Sequence, residues 1–270
     1  MMININSVAS ASAAANQLNQ NNKNLQRSLA KLSSGYRINS AYDDAGGLAV
    51  SMKLSASIRK TEAAAANVGN AISFLQTQDG VLSAASSILV RMSELAVLSM
   101  DETKNNDDRS LYNEEMTSLK ASFSSLLTEK FNSTALFANG GATLEVITNE
   151  SGTTAGISQL ALNAINTAIG SLSVSSSANA DTANTALTTQ IIELGELRAK
   201  NGAEQQRMTF AQDILAVNRS NLEAANSQIM DVDVARESAE YSRLSIVRDA
   251  GIAMMAQANV SSKSILRLID

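Results

Sequence analysis

Leu18, Asn22, Leu25, Leu29 and Leu32 alternate four and three residues apart, the seven-residue repeat of a helix that presents a narrow apolar seam to a partner. The run closes at Ser33-Ser34-Gly35, where glycine can take the left-handed conformation that ends a helix. A polar connector continues to Gly47, and Asp43 and Asp44 stand where a carboxylate can accept hydrogen bonds from the free amides of the next helix. From Leu48 to Met100 two heptad frames run side by side. Val68, Ile72, Leu75, Leu82 and Leu89 lie on one, and Val81, Ala85, Ile88, Met92 and Leu95 on the other. Two adjacent seams predict a helix packed against more than one neighbour. Roughly 50 helical residues would span about 75 Å.

Lys104 to Asp108 reads as a polar turn, and Leu111, Met116, Leu119, Phe123 and Leu126 give an apolar side to a helix from Arg109 to Lys130. The texture then changes. Asn139-Gly140-Gly141 signals a turn, Leu144 to Thr148 a strand, Asn149 to Gly152 a loop, and Ala155 to Leu160 a return strand. Ser171 to Ala183, rich in Ser, Ala and Asn, predicts an exposed connector. Helical spacing returns from Ala183, with Met208, Ala211, Leu215, Asn218, Leu222, Ala225 and Ile229 alternating three and four apart. After Asp231-Val232-Asp233 a last helix carries Leu244, Val247, Gly251, Met254 and Ala258 and ends on apolar Ile265, Leu266, Leu268 and Ile269.

The order is symmetric, with heptads at both ends and an irregular middle. It predicts a mainly α fold: an elongated antiparallel helical coiled-coil bundle built from both chain ends, with a small β-hairpin region in the middle. The terminal seams lack large core residues, so a second copy of the chain is the expected place for them to bury.

Composition sharpens this picture. The 270 residues include no Pro, Cys, His or Trp. Proline at average usage would contribute roughly a dozen residues, and its absence leaves helices uninterrupted. Without Cys or His there is no thiolate or imidazole zinc site and no Ser-His or Cys-His catalysis. The acidic pairs Asp43/Asp44 and Asp231/Asp233 lack the further oxygen ligands of a calcium loop and read as helix caps. No enzyme activity, cofactor or metal is expected. A net charge of −5 argues against nucleic acid as a partner. The first basic residue is Lys23 and polar residues interrupt the early chain, unlike a cleaved secretory signal. No run of about 20 apolar residues suggests membrane insertion.

Specific strings carry a resemblance. Ser28 to Ala41 (SLAKLSSGYRINSA), Asp43 to Ala49 (DDAGGLA), Arg91 to Val97 (RMSELAV), Asp108-Arg109 and Phe131-Asn132, then Asn201 to Arg207 (NGAEQQR), Asp231 to Ala235 (DVDVA) and Ala256 to Asn259 (AQAN) together resemble bacterial flagellins over residues 1–140 and 183–270. The chain departs from the family at Ser93 and Gln228, often Arg there, at Gln206, often Asn, and at Ser133, often Gly. Residues 140–182 replace the large outer domains of many flagellins.

The resemblance implies a structural subunit of the flagellar filament, exported unfolded by the flagellar type III system without signal cleavage and located outside the cell. It implies inner-tube helices and connectors in residues 1–47 and 235–270, a rod-like core in 48–140 and 183–234, and a short variable, exposed hairpin segment in 140–182. Self-assembly then falls to Leu18, Leu25, Leu29, Leu32, Val247, Met254, Ile265 and Leu266. Implied partners are further copies of the chain, the flagellar cap and junction proteins, and an export chaperone at the C-terminal end. The family's surface for vertebrate Toll-like receptor 5, also a lateral contact, falls at Arg91, Leu95 and Glu115. Ser173, Ser175, Ser176 and Ser177 are candidate hydroxyls for O-linked sugar. A hook–filament junction protein is the nearest alternative, and a cytoplasmic coiled-coil scaffold the alternative of a different class. The zinc-peptidase motif of some flagellins needs two His on one helix face, which this chain lacks.

Overall fold

A computed structural model describes residues 7–269, with side chains described for residues 12–257 and for Val260. Helix α1 spans Ser7–Ser34, α2 Ala45–Met100 and α3 Asn106–Leu126. Short strands β1 (Lys130–Phe131) and β2 (Thr134–Ala135) precede the hairpin β3 (Ala142–Ile147) and β4 (Thr154–Gln159). Helices α4 (Asn163–Gly170), α5 (Ser177–Met230) and α6 (Val234–Ile269) complete the chain. Residues 1–56 with 221–270 form one compact unit and residues 57–220 another.

The second unit holds the main hydrophobic core. Along α2 the residues Ala64, Val68, Ala71, Leu75, Leu82, Ala85, Leu89, Met92 and Ala96 are buried, which merges the two expected frames into one broad stripe. Along α5 the buried series Ala180, Ala183, Leu187, Gln190, Leu194, Asn201, Met208 and Leu215 keeps heptad spacing. Met116 and Phe123 of α3 and Ile165 and Ile169 of α4 close the cluster. By length and composition α2 also qualifies as a membrane span, since an 18-residue window has a mean hydropathy of 1.6, contrary to the expectation from run lengths. Val68, Leu75, Leu82, Leu89, Met92 and Leu95 of this helix are buried in the core of the chain, while Val50, Met52, Val90, Val97 and Leu98 are exposed.

Helix α2 ends at a buried cation. Arg109 Nε donates to the Ser99 carbonyl at 2.8 Å and Nη2 to the Asp101 carbonyl at 2.9 Å, covering acceptors that a helix C-terminus leaves open. Helix α3 starts on a capping box. Asp108 N donates to Asn105 Oδ1 at 2.8 Å and Asn105 N to Asp108 Oδ2 at 3.3 Å.

Strands β3 and β4 pair antiparallel from Ala142↔Gln159 to Ile147↔Thr154. Their turn is held by Asn149 Oδ1, which accepts from the amides of Ser151 and Thr153. The segment 171–182 differs from the expected exposed connector. Val174 and Ala180 are fully buried and α5 already starts at Ser177. Small residues let backbones approach, so a Ser/Ala-rich stretch packs here without a visible apolar period. Helix α4 was hidden for a related reason: eight residues with one buried pair, Ile165 and Ile169, are too short to show a repeat.

The β1–β2 turn places Asn132 at φ 46° and Ser133 at φ 68°, the positive values that a two-residue hairpin turn requires. Asn tolerates this region; Ser does not. Ser133→Gly is therefore expected to stabilise the fold by roughly 0.5–1 kcal/mol, read as a rise in the urea midpoint at constant slope. An unchanged or lower midpoint would show that the turn bears no strain.

Candidate assembly surfaces

In the unit formed by the chain ends, α1 packs along α6. Leu25, Asn21 and Ser28 of α1 and Leu244 of α6 are buried, and Asn21 Nδ2 donates to the Leu244 carbonyl at 3.0 Å. Leu18 reaches Gly251, where an added Cβ would lie 3.2 Å from Leu18 Cδ1. With half-buried Leu32, the seam is Leu18, Asn21, Leu25, Ser28 and Leu32. Leu29 departs from the sequence frame: it is 52% exposed. Polar Asn21 and small Ser28 hold seam positions that a search for leucines passes over. Helix α6 also carries exposed Ile246, Val247, Ile252, Met254 and Val260, spread around its circumference. Ile265 and Leu266 fall within α6, but their side chains lie outside the described residues.

The connector after α1 is tied to the α5–α6 junction. Gly35 turns the chain at φ 75°. The Val232 amide donates to the Gly35 carbonyl at 2.9 Å, and Arg37 N donates to Met230 O at 2.6 Å. Arg37 Nη2 donates to Ile229 O at 2.7 Å. Asp43 Oδ2 accepts from Asn39 N, Ser40 N and Ser40 Oγ. Desolvation pushes the Asp43 carboxyl up, but these bonds together with Lys31 hold it below its ordinary pKa. Asp44 Oδ1 accepts from Gly47 N at 2.8 Å, and a Cβ on Gly47 would meet Asp44 Oδ2 at 2.5 Å and Ile38 Cδ1 at 2.7 Å, so any other residue would displace the capping carboxylate or Ile38. Asp233 Oδ1 accepts from Arg236 N at the start of α6. Both acidic pairs act as local acceptors, and no group of three or more metal-ligating side chains occurs among the described residues.

In the core unit, Arg91 Nε donates to Glu115 Oε1 at 2.7 Å and Nη1 to Glu94 Oε2 at 3.0 Å. Hydrogen bonds donated to Glu115, then to Glu94, raise the Arg91 pKa above its ordinary value. Arg91 and Glu115 are thus brought together at the surface of α2 and α3, and Glu94 joins them. Leu95 is not part of this surface. It is 0% exposed, because its frame faces the core, so it can touch no partner. Beside the charges lies an open apolar groove of about 490 Å³ lined by Val90, Ser93, Glu94, Val97, Leu98 and Ile191.

The four serines are less free than an exposed connector would leave them. Ser173 Oγ donates to Asn113 Oδ1 at 2.9 Å, Ser177 Oγ to the Met100 carbonyl at 3.3 Å, and Ser176 Oγ accepts from Asn179 N at 3.2 Å. Ser175 alone of the four is exposed.

A polar cluster with no signal in the heptad pattern crosses the core. Gln78 Nε2 donates to the carbonyls of Leu136 at 2.7 Å and Ser158 at 3.2 Å. Asn201 Nδ2 donates to Gln78 Oε1 at 2.6 Å and to Leu75 O at 3.2 Å. Glu204 takes both the amide and the hydroxyl of Ser158, at 2.8 and 2.6 Å. Asn201 and Glu204 sit in the string 201–207, but spacing alone could not show that they join α5 to α2 and β4.

Comparison with known proteins agrees with this architecture. The bacterial flagellin N-terminal helical region matches residues 5–142, and the bacterial flagellin C-terminal helical region matches residues 178–269. A flagellin of Halalkalibacterium halodurans is 37% identical over 251 residues, covering 90% of this chain and 91% of that protein. A flagellin of Bacillus subtilis is 32% identical over 306 residues, covering 98% and 99%. The crystal structure of Bacillus cereus flagellin superposes with a TM-score of 0.51 at 26% identity, covering 60% of this chain and 94% of that one.

Proposed function

The chain belongs to the bacterial flagellin family, as a self-polymerising structural subunit of the flagellar filament, and from that premise we propose how its surfaces divide the work. Residues 1–47 and 235–270 line the inner tube, 48–140 and 183–234 form the layer around it, and 140–182 is the variable segment. Copies join through apolar side chains that the terminal pair leaves uncovered, at Leu29, Val247 and Met254 with Ile265 and Leu266. Leu18, Leu25 and Leu32 hold the pair itself together. The observation that carries this reading is the exposure of Ile246, Val247, Ile252, Met254 and Val260 on a single helix, apolar surface that a monomer gains nothing by leaving in water.

A chain without cysteine makes the test direct. In Met254→Cys the thiol is expected to react with maleimide in the monomer and to be shielded in the filament. In Ser151→Cys, at the β3–β4 turn, it should react in both. A residue 254 that stays reactive in the filament would exclude it from the subunit interface. The same exposed apolar residues suit an export chaperone that covers the C-terminal end before secretion, and the same thiol should be shielded in that complex. Cap and junction proteins would meet the equivalent residues at the filament ends. The subunit then acts outside the cell, delivered unfolded through the type III apparatus without signal cleavage, and does no catalysis.

Arg91, Glu94 and Glu115, with the adjoining groove, form the lateral contact and the surface available to Toll-like receptor 5. Arg91→Ala should lower receptor signalling by monomer about tenfold or more, on the scale of a lost surface anchor, with unchanged circular dichroism. An unaltered dose response would remove Arg91 from the receptor surface. Ser175 is the hydroxyl best placed for O-linked sugar, and glycopeptide mass spectrometry of native filaments that found residues 173–177 unmodified would withdraw it.

A further inference from the structure

The dipeptide Asn-Gly occurs twice in the chain, at Asn139-Gly140 and at Asn201-Gly202, in opposite surroundings. Asn139 and Gly140 are exposed at the centre of a β-turn ahead of β3. The turn is closed by Gly141 N donating to the Ala138 carbonyl at 3.2 Å. Gly140 has φ 81° and an added Cβ there would touch nothing within 4 Å. Asn201 is the reverse: 0% exposed, inside α5, with its carboxamide nitrogen donating to Leu75 O and Gln78 Oε1. Gly202 is an interior residue of that helix, so its amide is engaged in the helical ladder.

We propose that Asn139 is a site of spontaneous deamidation and isoaspartate formation in the folded protein, and that Asn201, with the same dipeptide, is not. The amide nitrogen of Gly140, on losing its proton, attacks Cγ of Asn139. The N–Cγ bond forms, the Cγ–Nδ2 bond breaks, and the side-chain nitrogen takes protons from solvent and leaves as ammonia. Water then opens the five-membered imide. Cleavage of the new N–Cγ bond gives aspartate; cleavage between the imide nitrogen and the backbone carbonyl carbon gives isoaspartate, whose main chain runs through Cγ. Water is the sole co-reactant and nothing is oxidised or reduced. The attack needs rotation about the Asn139 backbone to bring nitrogen and Cγ together, and a solvent-exposed turn allows it. At Asn201 the same rotation would break the helix and unpair two buried carboxamides, so it waits on local unfolding. Each conversion at residue 139 adds a negative charge, and the isoaspartate product adds a methylene to the backbone leading into β3.

The whole chain is incubated folded at mildly alkaline pH and, in parallel, in concentrated urea, and both peptides are quantified by mass spectrometry with isoaspartyl methyltransferase labelling. In urea the two sites should convert at similar rates, as their shared dipeptide dictates. In the folded chain residue 139 should convert at least about tenfold faster than residue 201, the order of effect that access to an attack geometry supplies, and faster as the pH rises. Equal rates at the two sites in the folded protein, or a residue 139 intact in the fold while converting in urea, would overturn the proposal.

Discussion

Leu29→Asp should abolish filament growth while leaving the monomer as helical as the parent chain. Leu29 is 52% exposed, so the new carboxylate stays solvated in the monomer and disturbs no contact of the α1–α6 seam. In a dry interface between copies the same carboxylate must give up its water or take up a proton, at a cost of several kcal/mol per subunit, and the cost recurs at every position in the polymer. Seeded growth followed by light scattering and electron microscopy reads the effect, with circular dichroism as the control. The matching substitution inside the seam, Leu25→Asp, should behave differently by also loosening the terminal pair in the monomer. Filaments of normal length and yield from Leu29→Asp would mean that α1 meets other copies through a different face.

The second large effect is expected at Gln78. Replacing it by Leu keeps the volume close but removes the donor to Leu136 O and Ser158 O and the acceptor for Asn201 Nδ2. Buried groups stripped of a partner cost about 1–3 kcal/mol each. Asn201 retains its bond to Leu75 O, and the net loss should be roughly 3 kcal/mol. Urea unfolding measures it. Asn201→Leu in the Gln78→Leu background should recover part of the loss, because two apolar partners no longer strand one another's polar atoms. A single variant as stable as the parent would show that the cluster contributes register without stability.

The heptad pattern made the long helices legible because their burial is periodic. Val68, Leu75, Leu82 and Leu89, or Met208 and Leu215, are both the visible repeat and the buried one. It misplaced Leu29 because Asn21 and Ser28 do the seam's work with small or hydrogen-bonded side chains, which carry no hydropathy signal. Leu95 came to stand among the contact residues through the family resemblance, whereas its heptad frame already set it on a seam, and it is buried. Gln78, Asn201 and Glu204 were invisible as a cluster because their partners are 46 or more residues away in sequence. The connector at 171–182 failed as a loop for the opposite reason: its packing is local, but it is made by Val174 and Ala180 between residues that look like linker.

Arg109 bears on the order in which such a chain can gather itself. Its bond to Ser99 O closes a separation of 10 residues, while that between Asn201 and Gln78 closes one of 123. Closure entropy grows with the logarithm of loop length, which makes the longer closure costlier by about 2 kcal/mol when nothing else is formed. A thread emerging end-first can therefore fold the corner between α2 and α3 from its own neighbourhood. The junction of α5 with α2 must wait until the far half of the chain has arrived.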